Sequence, residues 1–192
     1  MLKIKLLLTS LMFFAGIAHV QAFSIADSTE SSAISWLSFE EAVKLQQADK
    51  AAGRAPKKIF IDVYTDWCGW CKKMDKETFQ QPEIAAYLTQ KFYPVKLDAE
   101  QKEAIIFDGH TFEFKPGGRR GYHEFAAALL DGKLSYPTVV FMNEEAQLMQ
   151  RVPGYLDVPT FDAILHYLAE EHFKTTPWPQ FQQQFNQQKS NK

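Results

Sequence analysis

The chain's only two cysteines stand three apart, in Trp67-Cys68-Gly69-Trp70-Cys71-Lys72. They follow an apolar run, Ile59 to Tyr64, and precede a helix-like stretch, Lys72 to Glu77. A strand feeding a C-x-x-C at a helix start is what reversible dithiol–disulfide chemistry requires. At a helix N-terminus, unpaired amides and the helix dipole favour a thiolate on the first sulfur. The second thiol, one turn on, can attack a mixed disulfide that the first has formed. Cys68 therefore reads as the nucleophile and Cys71 as the resolving thiol. A metal site would need further ligands, and none of the five histidines (19, 110, 123, 166 and 172) lies beside the motif. A two-cysteine Cu(I) carrier stays open, but no cofactor and no metal are expected.

Those thiols need a scaffold, and the flanking sequence supplies the elements of one. Ser38-Phe39-Glu40-Glu41 is a capping box that opens a helix to about Lys50, ended near Gly53. Ala55-Pro56 turns the chain into a strand, Lys58 to Tyr64. Asp62 interrupts that strand's apolar run, so it is expected to be buried, and burial raises a carboxyl's pKa. Pro82 opens the next helix at its first position, with Ile84, Tyr87 and Leu88 inward. Phe92 to Leu97 is the following strand.

Residues 99–135 break the alternation. Ile105 to Phe107 and Thr111 to Phe114 read as a hairpin around Asp108-Gly109, a pair suited to a tight primed turn. Pro116-Gly117-Gly118 is a loop and Tyr122 to Leu130 a helix. Arg119, Arg120, Tyr122 and His123 either frame a partner site or belong to a solvated loop. Strands follow at Thr138 to Met142 and Gln147 to Val152, then a helix from Pro159 to Phe173 with Phe161, Ile164, Leu165 and Leu168 inward. Trp178, Phe181 and Phe185 share one face of a short C-terminal helix, with disorder expected beyond Gln187.

This order of elements is that of a thioredoxin-like domain. Ile61 to Lys72 resembles the thioredoxin active-site signature, and Tyr136-Pro137-Thr138-Val139-Val140-Phe141 resembles its proline strand. The resemblance spans roughly residues 36–173 and points to the exported bacterial thiol–disulfide oxidoreductases. It implies an α/β fold, a central mixed sheet flanked by helices, with a hairpin-plus-helix insertion before the cis-proline strand. It further implies a solvent-facing Cys68, a buried Cys71, and Asp62 exchanging a proton with Cys71. The bland alternative for Asp62 is an acid satisfied by a backbone partner or water. A cis Tyr136–Pro137 bond would leave backbone groups of Tyr136 free for a substrate strand. Gly154 resembles the glycine near the family's active-site surface. Trp67, Gly69 and Trp70 complete the expected substrate-binding set. Gly69-Trp70 departs from the family's usual Gly-Pro, and the residues between the thiols influence redox poise.

Length and charge limit the function. At 192 residues there is room for one domain with a proper core, plus ends and insertions. A net charge of −2, with both signs interspersed, gives no reason to invoke nucleic acid or an anionic membrane. Lys3 and Lys5 precede an apolar stretch from Ile4 to Ala18, and Val20-Gln21-Ala22 offers small residues for cleavage after Ala22. That run is shorter than the ~20 residues of a membrane span, with an uncleaved anchor as the alternative. The organisation is then a signal peptide at 1–22, a flexible lead-in at 23–35, the domain at 36–173 and a tail at 174–192. Exported proteins usually spend cysteines on structural disulfides, but so short a loop constrains the unfolded chain little. The expectation is a periplasmic, monomeric enzyme acting on disulfide-containing protein clients and fed by a membrane electron donor. A disulfide oxidase or isomerase with the same site, or a non-enzymatic binding module, remains the alternative.

Overall fold

The computed structural model describes residues 34–191, so the expected cleavage site and nearly all of the lead-in lie outside the described residues. Helix α1, Phe39–Ala51, opens on the expected capping box: the Ser38 hydroxyl accepts the Glu41 N–H at 3.2 Å, and the Glu41 carboxylate accepts the Ser38 N–H at 2.8 Å. Such a cap is worth about 1 kcal/mol. Strand β1, Lys58–Tyr64, then runs into α2, Gly69–Met74, which continues as a wide π-helical turn, Asp75–Phe79. Helix α3, Pro82–Lys91, starts on its proline and leads into β2, Phe92–Asp98.

The insertion departs from the sequence reading. Its first hairpin pairs β3, Ile105–Phe107, with β4, His110–Phe112, around Asp108 and Gly109 at φ 50° and 73°. Positive φ at both turn residues is the primed geometry that the Asp-Gly pair predicts. The second strand stops at Phe112, however. Phe114–Lys115 (β5) pairs instead with Tyr122–His123 (β6), so the Pro116 to Gly118 loop is the tip of a second small hairpin. Tyr122 is therefore not the start of a helix. Helix α4 is Glu124–Leu129, and the buried His123 ring caps it, accepting the Phe125 N–H at 3.2 Å.

Strands β7, Thr138–Met142, and β8, Leu148–Pro153, complete the sheet in the order β2-β1-β7-β8. The β1–β2 pair is parallel and the others antiparallel. Helix α5 is Val158–Ala169, shorter than expected, and the chain turns at Glu171 (φ 57°) before a 3-10 turn at His172–Lys174. The expected disorder beyond Gln187 is not found. Helix α6, Trp178–Ser190, runs past it, and Lys189 near its end pairs with Asp162 of α5 at 2.8 Å.

Alternation along β1 sorts the core. Ile59, Ile61 and Val63 face α1 and the insertion, packing with Phe39, Ile105, Phe125 and Val140. Phe60 faces the other way, among Phe79, Phe141 and Phe161 at ring distances of 5.4 to 5.6 Å. Truncating such a phenylalanine typically costs about 3–5 kcal/mol. Asp62 and Phe60 are two residues apart on the strand, so the acid points toward the α2 side, behind the cysteines.

Candidate active site: two sulfurs with a buried acid behind them

The strand-to-helix turn is tied at Thr65, whose carbonyl accepts the Cys68 N–H at 3.0 Å. Cys68 is the N-cap of α2, and its sulfur accepts the Cys71 N–H at 3.1 Å. The two cysteines form a disulfide, Cα–Cα 5.2 Å. A solvent-facing Cys68 is not what the structure shows: Cys68 and Cys71 are 5% and 4% exposed. The bond to Cys71 and the backbone hydrogen bond draw the Cys68 sulfur onto the first helical turn.

Asp62 is 1% exposed. Its Oδ2 lies 3.2 Å from the Lys96 ammonium, while its Oδ1 has no hydrogen-bond partner among the described residues. The β1–β2 register sets Asp62 opposite Lys96. Lys96 also reaches Asp75, one turn beyond Cys71, at 2.8 Å, and lies over the rings of Trp36 and Tyr64. Burial pushes the Asp62 carboxyl up to about 6, with Lys96 opposing the shift and Asp75 adding to it. Burial works against charge on Lys96, yet the two carboxylates outweigh it and hold Lys96 above the usual lysine value. A crevice of about 180 Å³ is lined by Cys71, Thr65, Tyr64, Asp75 and Lys96.

Tyr136–Pro137 is cis. Val63 pairs with Thr138, so this dipeptide stands level with the end of β1, where the cysteine turn begins. Among the described residues, neither the N–H nor the carbonyl of Tyr136 has a backbone partner. Gly154 (φ 97°) donates its N–H to the Pro137 carbonyl at 2.8 Å, fixing the loop from the far side. That φ lies in a region where a side chain would strain the backbone.

Two tryptophans flank the disulfide, Trp67 51% and Trp70 58% exposed. Trp67 donates its indole N–H to Glu100 at 2.9 Å, lies 6.0 Å from the Tyr136 ring and carries the Arg120 guanidinium at 5.4 Å. Trp70 packs on Tyr155 at 5.4 Å, with Lys73 over both rings. Of the four insertion residues singled out in the sequence, Arg120 reaches this rim. His123 is buried within the insertion, its ring against the Glu103 carbonyl at 3.0 Å. Gly69 sits on the open first turn of α2.

Thus the structure gathers Cys68, Cys71, Trp67, Gly69, Trp70, Tyr136, Pro137 and Gly154 around one sheet end, with Asp62 behind. Sequence reasoning missed Lys96, Asp75, Thr65, Glu100 and Tyr155. The signal for Lys96 was a lysine in the strand after a buried acid, readable only once the parallel register is known.

Comparison with known proteins agrees with this geometry. A family model described as a thioredoxin-like domain matches residues 45–169. The thiol:disulfide interchange protein DsbD of Vibrio vulnificus is 34% identical over 79 residues, 41% of this chain and 13% of that protein. The chain spans 13% to 22% of the length of the DsbD relatives it matches. A thioredoxin-fold protein from Helicobacter pylori superimposes with a TM-score of 0.52 at 15% identity, over 70% of this chain and 85% of that one. A DsbH oxidoreductase superimposes at 0.51 and 21% identity, over 81% and 95%. At such identities the structural likeness speaks for the fold.

Proposed function

The chain belongs to the thioredoxin-like family, and from that premise we propose that it is an exported thiol–disulfide oxidoreductase that reduces protein disulfides through Cys68 and Cys71. The observation that carries the reading is the Cys71 N–H aimed at the Cys68 sulfur on the first turn of α2. After reduction the same N–H stabilises negative charge on that sulfur, making Cys68 the attacking thiolate. Its attack breaks the client disulfide and leaves a Cys68–client mixed disulfide. The unpaired backbone groups of Tyr136 hold the client strand, with Pro137, Gly154, Trp67, Gly69 and Trp70 as its surroundings.

Asp62 then takes the proton of Cys71, whose sulfur bonds to Cys68 and expels the reduced client. A carboxyl near 6 is still ionised at neutral pH, yet basic enough to accept that proton. The same carboxyl would return the proton to Cys71 in the reverse exchange, so the direction is decided by the potential of the dithiol against its partners. The oxidised pair must then be re-reduced, a role for a membrane donor. The charged start, apolar run and Val20-Gln21-Ala22 support export to the periplasm, with a monomeric mature chain beginning at Phe23.

Three measurements test this. The Cys68/Cys71 potential is expected near the roughly −270 mV of thioredoxin; a value near about −120 mV would make the protein an oxidase. Cys68→Ser is expected to abolish client reduction, and Cys71→Ser to trap a mixed disulfide. Absence of Cys68-dependent client turnover would favour the binding-module reading instead, and stoichiometric Cu(I) binding without turnover the carrier reading.

A further inference from the structure

Strand β8 is the outer strand of the sheet, and apart from β7 its backbone has no backbone partner among the described residues. The register tells which groups it leaves open. Gly154 donates its N–H to the Pro137 carbonyl opposite it. In an antiparallel ladder Val152 and Gln150 then also turn their backbones to β7, and Arg151 between them turns outward. The Arg151 carbonyl accordingly takes the exposed Gln150 side-chain amide at 3.0 Å. At Pro153 the donors end, since proline has no N–H to offer. An open edge of this kind is a template for an extended chain.

Each face of that edge is hollowed. On the α5 side, Met149 and Val152 with Ile164, Tyr167, Leu168 and Trp178 line an apolar groove of about 650 Å³. On the opposite side, toward the end of α4, Asp131, Lys133 and Ser135 line a smaller pocket of about 260 Å³. Arg151 and Pro153 border both. In the smaller pocket Lys133 and Arg151 set two positive charges against the one negative charge of Asp131. A strand sends successive side chains to opposite faces. Alternate residues of an added strand would therefore meet the two hollows in turn, apolar ones in the groove and acidic ones in the pocket. A small apolar molecule would use the groove alone and give the open edge and the second pocket no role.

The edge also leads to the dithiol. Pro153 precedes Gly154, which braces Pro137, and Tyr155 packs on Trp70 at 5.4 Å. Strands lie ~4.8 Å apart, so a chain held at Tyr136, at the head of β7, reaches the far side of β8 in about three residues.

We propose, building on the reading of Cys68 and Cys71 as a client-reducing dithiol, that the outer edge of β8 is a second docking element for the same client. An extended client segment of alternating apolar and acidic residues, about three residues from the client cysteine, adds to the sheet along residues 148–152. Main-chain hydrogen bonds at Arg151 hold it and displace the Gln150 amide, while the two hollows select its alternate side chains. The clients so favoured are unfolded chains and loops, whose backbone is open to pairing.

The test compares disulfide peptides reduced by the full chain. A short peptide carries the disulfide alone, and a longer one adds, beyond a short spacer on both sides, residues alternating leucine and glutamate. The extension is expected to lower KM by ~10-fold and to leave kcat unchanged. N-methylation of the extension removes its donors without touching the protein, and is expected to abolish the gain. Replacing its glutamates by lysines is expected to raise KM again, and Lys133→Glu, a change on an exposed loop, to reverse that charge preference. Exchange of the Arg151 amide, followed by NMR with a peptide whose cysteines are serine, is expected to slow by ~10-fold on binding. Three outcomes would each overturn strand addition: an equal gain from a Gly-Ser extension, a gain that survives N-methylation, or an Arg151 amide that the peptide does not slow. A charge preference that Lys133→Glu leaves in place would overturn the role of the smaller pocket. Slowing of that amide by protein concentration alone would assign the edge to a second copy and overturn the client reading of it. The serine peptide needs no turnover, so failure to reduce even the short peptide counts against the dithiol reading, while the exchange measurement still decides the edge.

Discussion

The Lys96 ammonium stands 3.2 Å from Oδ2 of Asp62, at a point where the acid is almost completely cut off from water. The pair is incomplete as compensation, because Lys96 is shared with Asp75 at 2.8 Å and Oδ1 of Asp62 is unpartnered among the described residues. Burial wins, and the carboxyl moves from its ordinary 3.8 to about 6. The folded chain thus binds this proton more tightly than the unfolded chain does. Folding loses stability as pH climbs from about 4 to about 6, and the loss is complete above that.

Asp62→Asn should therefore stabilise the oxidised protein at pH 7.5. At ~1.4 kcal/mol per pKa unit, the gain is bounded by about 3 kcal/mol. Lys96 keeps Asp75 as a partner, so the substitution strands no buried charge. Urea unfolding at pH 7.5 and at pH 3.5 checks the claim: the gap between variant and parent should close at the lower pH. A gap of the same size at both would show that the acid carries no burial penalty.

The regular parts of this fold were legible because each rests on a local rule. The apolar run placed β1 at Lys58–Tyr64, Pro82 marked the start of α3, and Ser38 with Glu41 marked that of α1. The second hairpin was not legible, since two-residue strands have no period to detect and Tyr122-His123 reads equally well as a helix start. The end of α6 depends on Lys189 meeting Asp162, a contact no local pattern encodes. In the site, Cys68, Cys71 and Pro137 announce themselves by type and spacing. Lys96 and Asp75 do not: each reads as a surface charge until register and helix phase bring both to Asp62.

Gly121 offers a test of the hairpin that the sequence hid. At φ 76°, an added Cβ would collide with the Phe114 ring and stand 2.5 Å from the Lys115 carbonyl oxygen. Gly132 has a similar φ of 71° but open space around it. Left-handed strain costs each alanine variant roughly 1–2 kcal/mol, and overpacking adds another 1–3 kcal/mol or so at Gly121 alone. Gly121→Ala should melt several degrees below Gly132→Ala, at ~2–4 °C per kcal/mol for a chain of this size. Equal melting temperatures would mean that Phe114 yields freely and the second hairpin is loosely held.

Arg120, next to that glycine, ties the insertion to the dithiol rim. If the insertion sets which client docks, removing it whole is a poor test of that role. Ile105, Phe125 and Leu129 belong to the core against α1, so the deletion would disturb folding itself. The informative contacts are two: Glu100 accepting the Trp67 indole N–H, and Arg120 over the Trp67 ring. A hydrogen bond to a charged group contributes about 1.5–3 kcal/mol when shielded, less at an exposed site, and an exposed cation–π contact about 0.5–1 kcal/mol. Together they hold a half-exposed indole in one orientation beside Cys68. A large client must meet that indole, whereas a small disulfide reaches the sulfur without it. The double variant Glu100→Ala, Arg120→Ala should lose ~10-fold in kcat/KM toward a protein disulfide, about 1.4 kcal/mol. Reduction of a small aromatic disulfide should stay within about 2-fold of the parent, because the double variant leaves Cys68, Cys71 and the Asp62–Lys96 pair untouched. An equal loss on both substrates would place the effect in the thiol chemistry, and no loss on either would show that the insertion only completes the core.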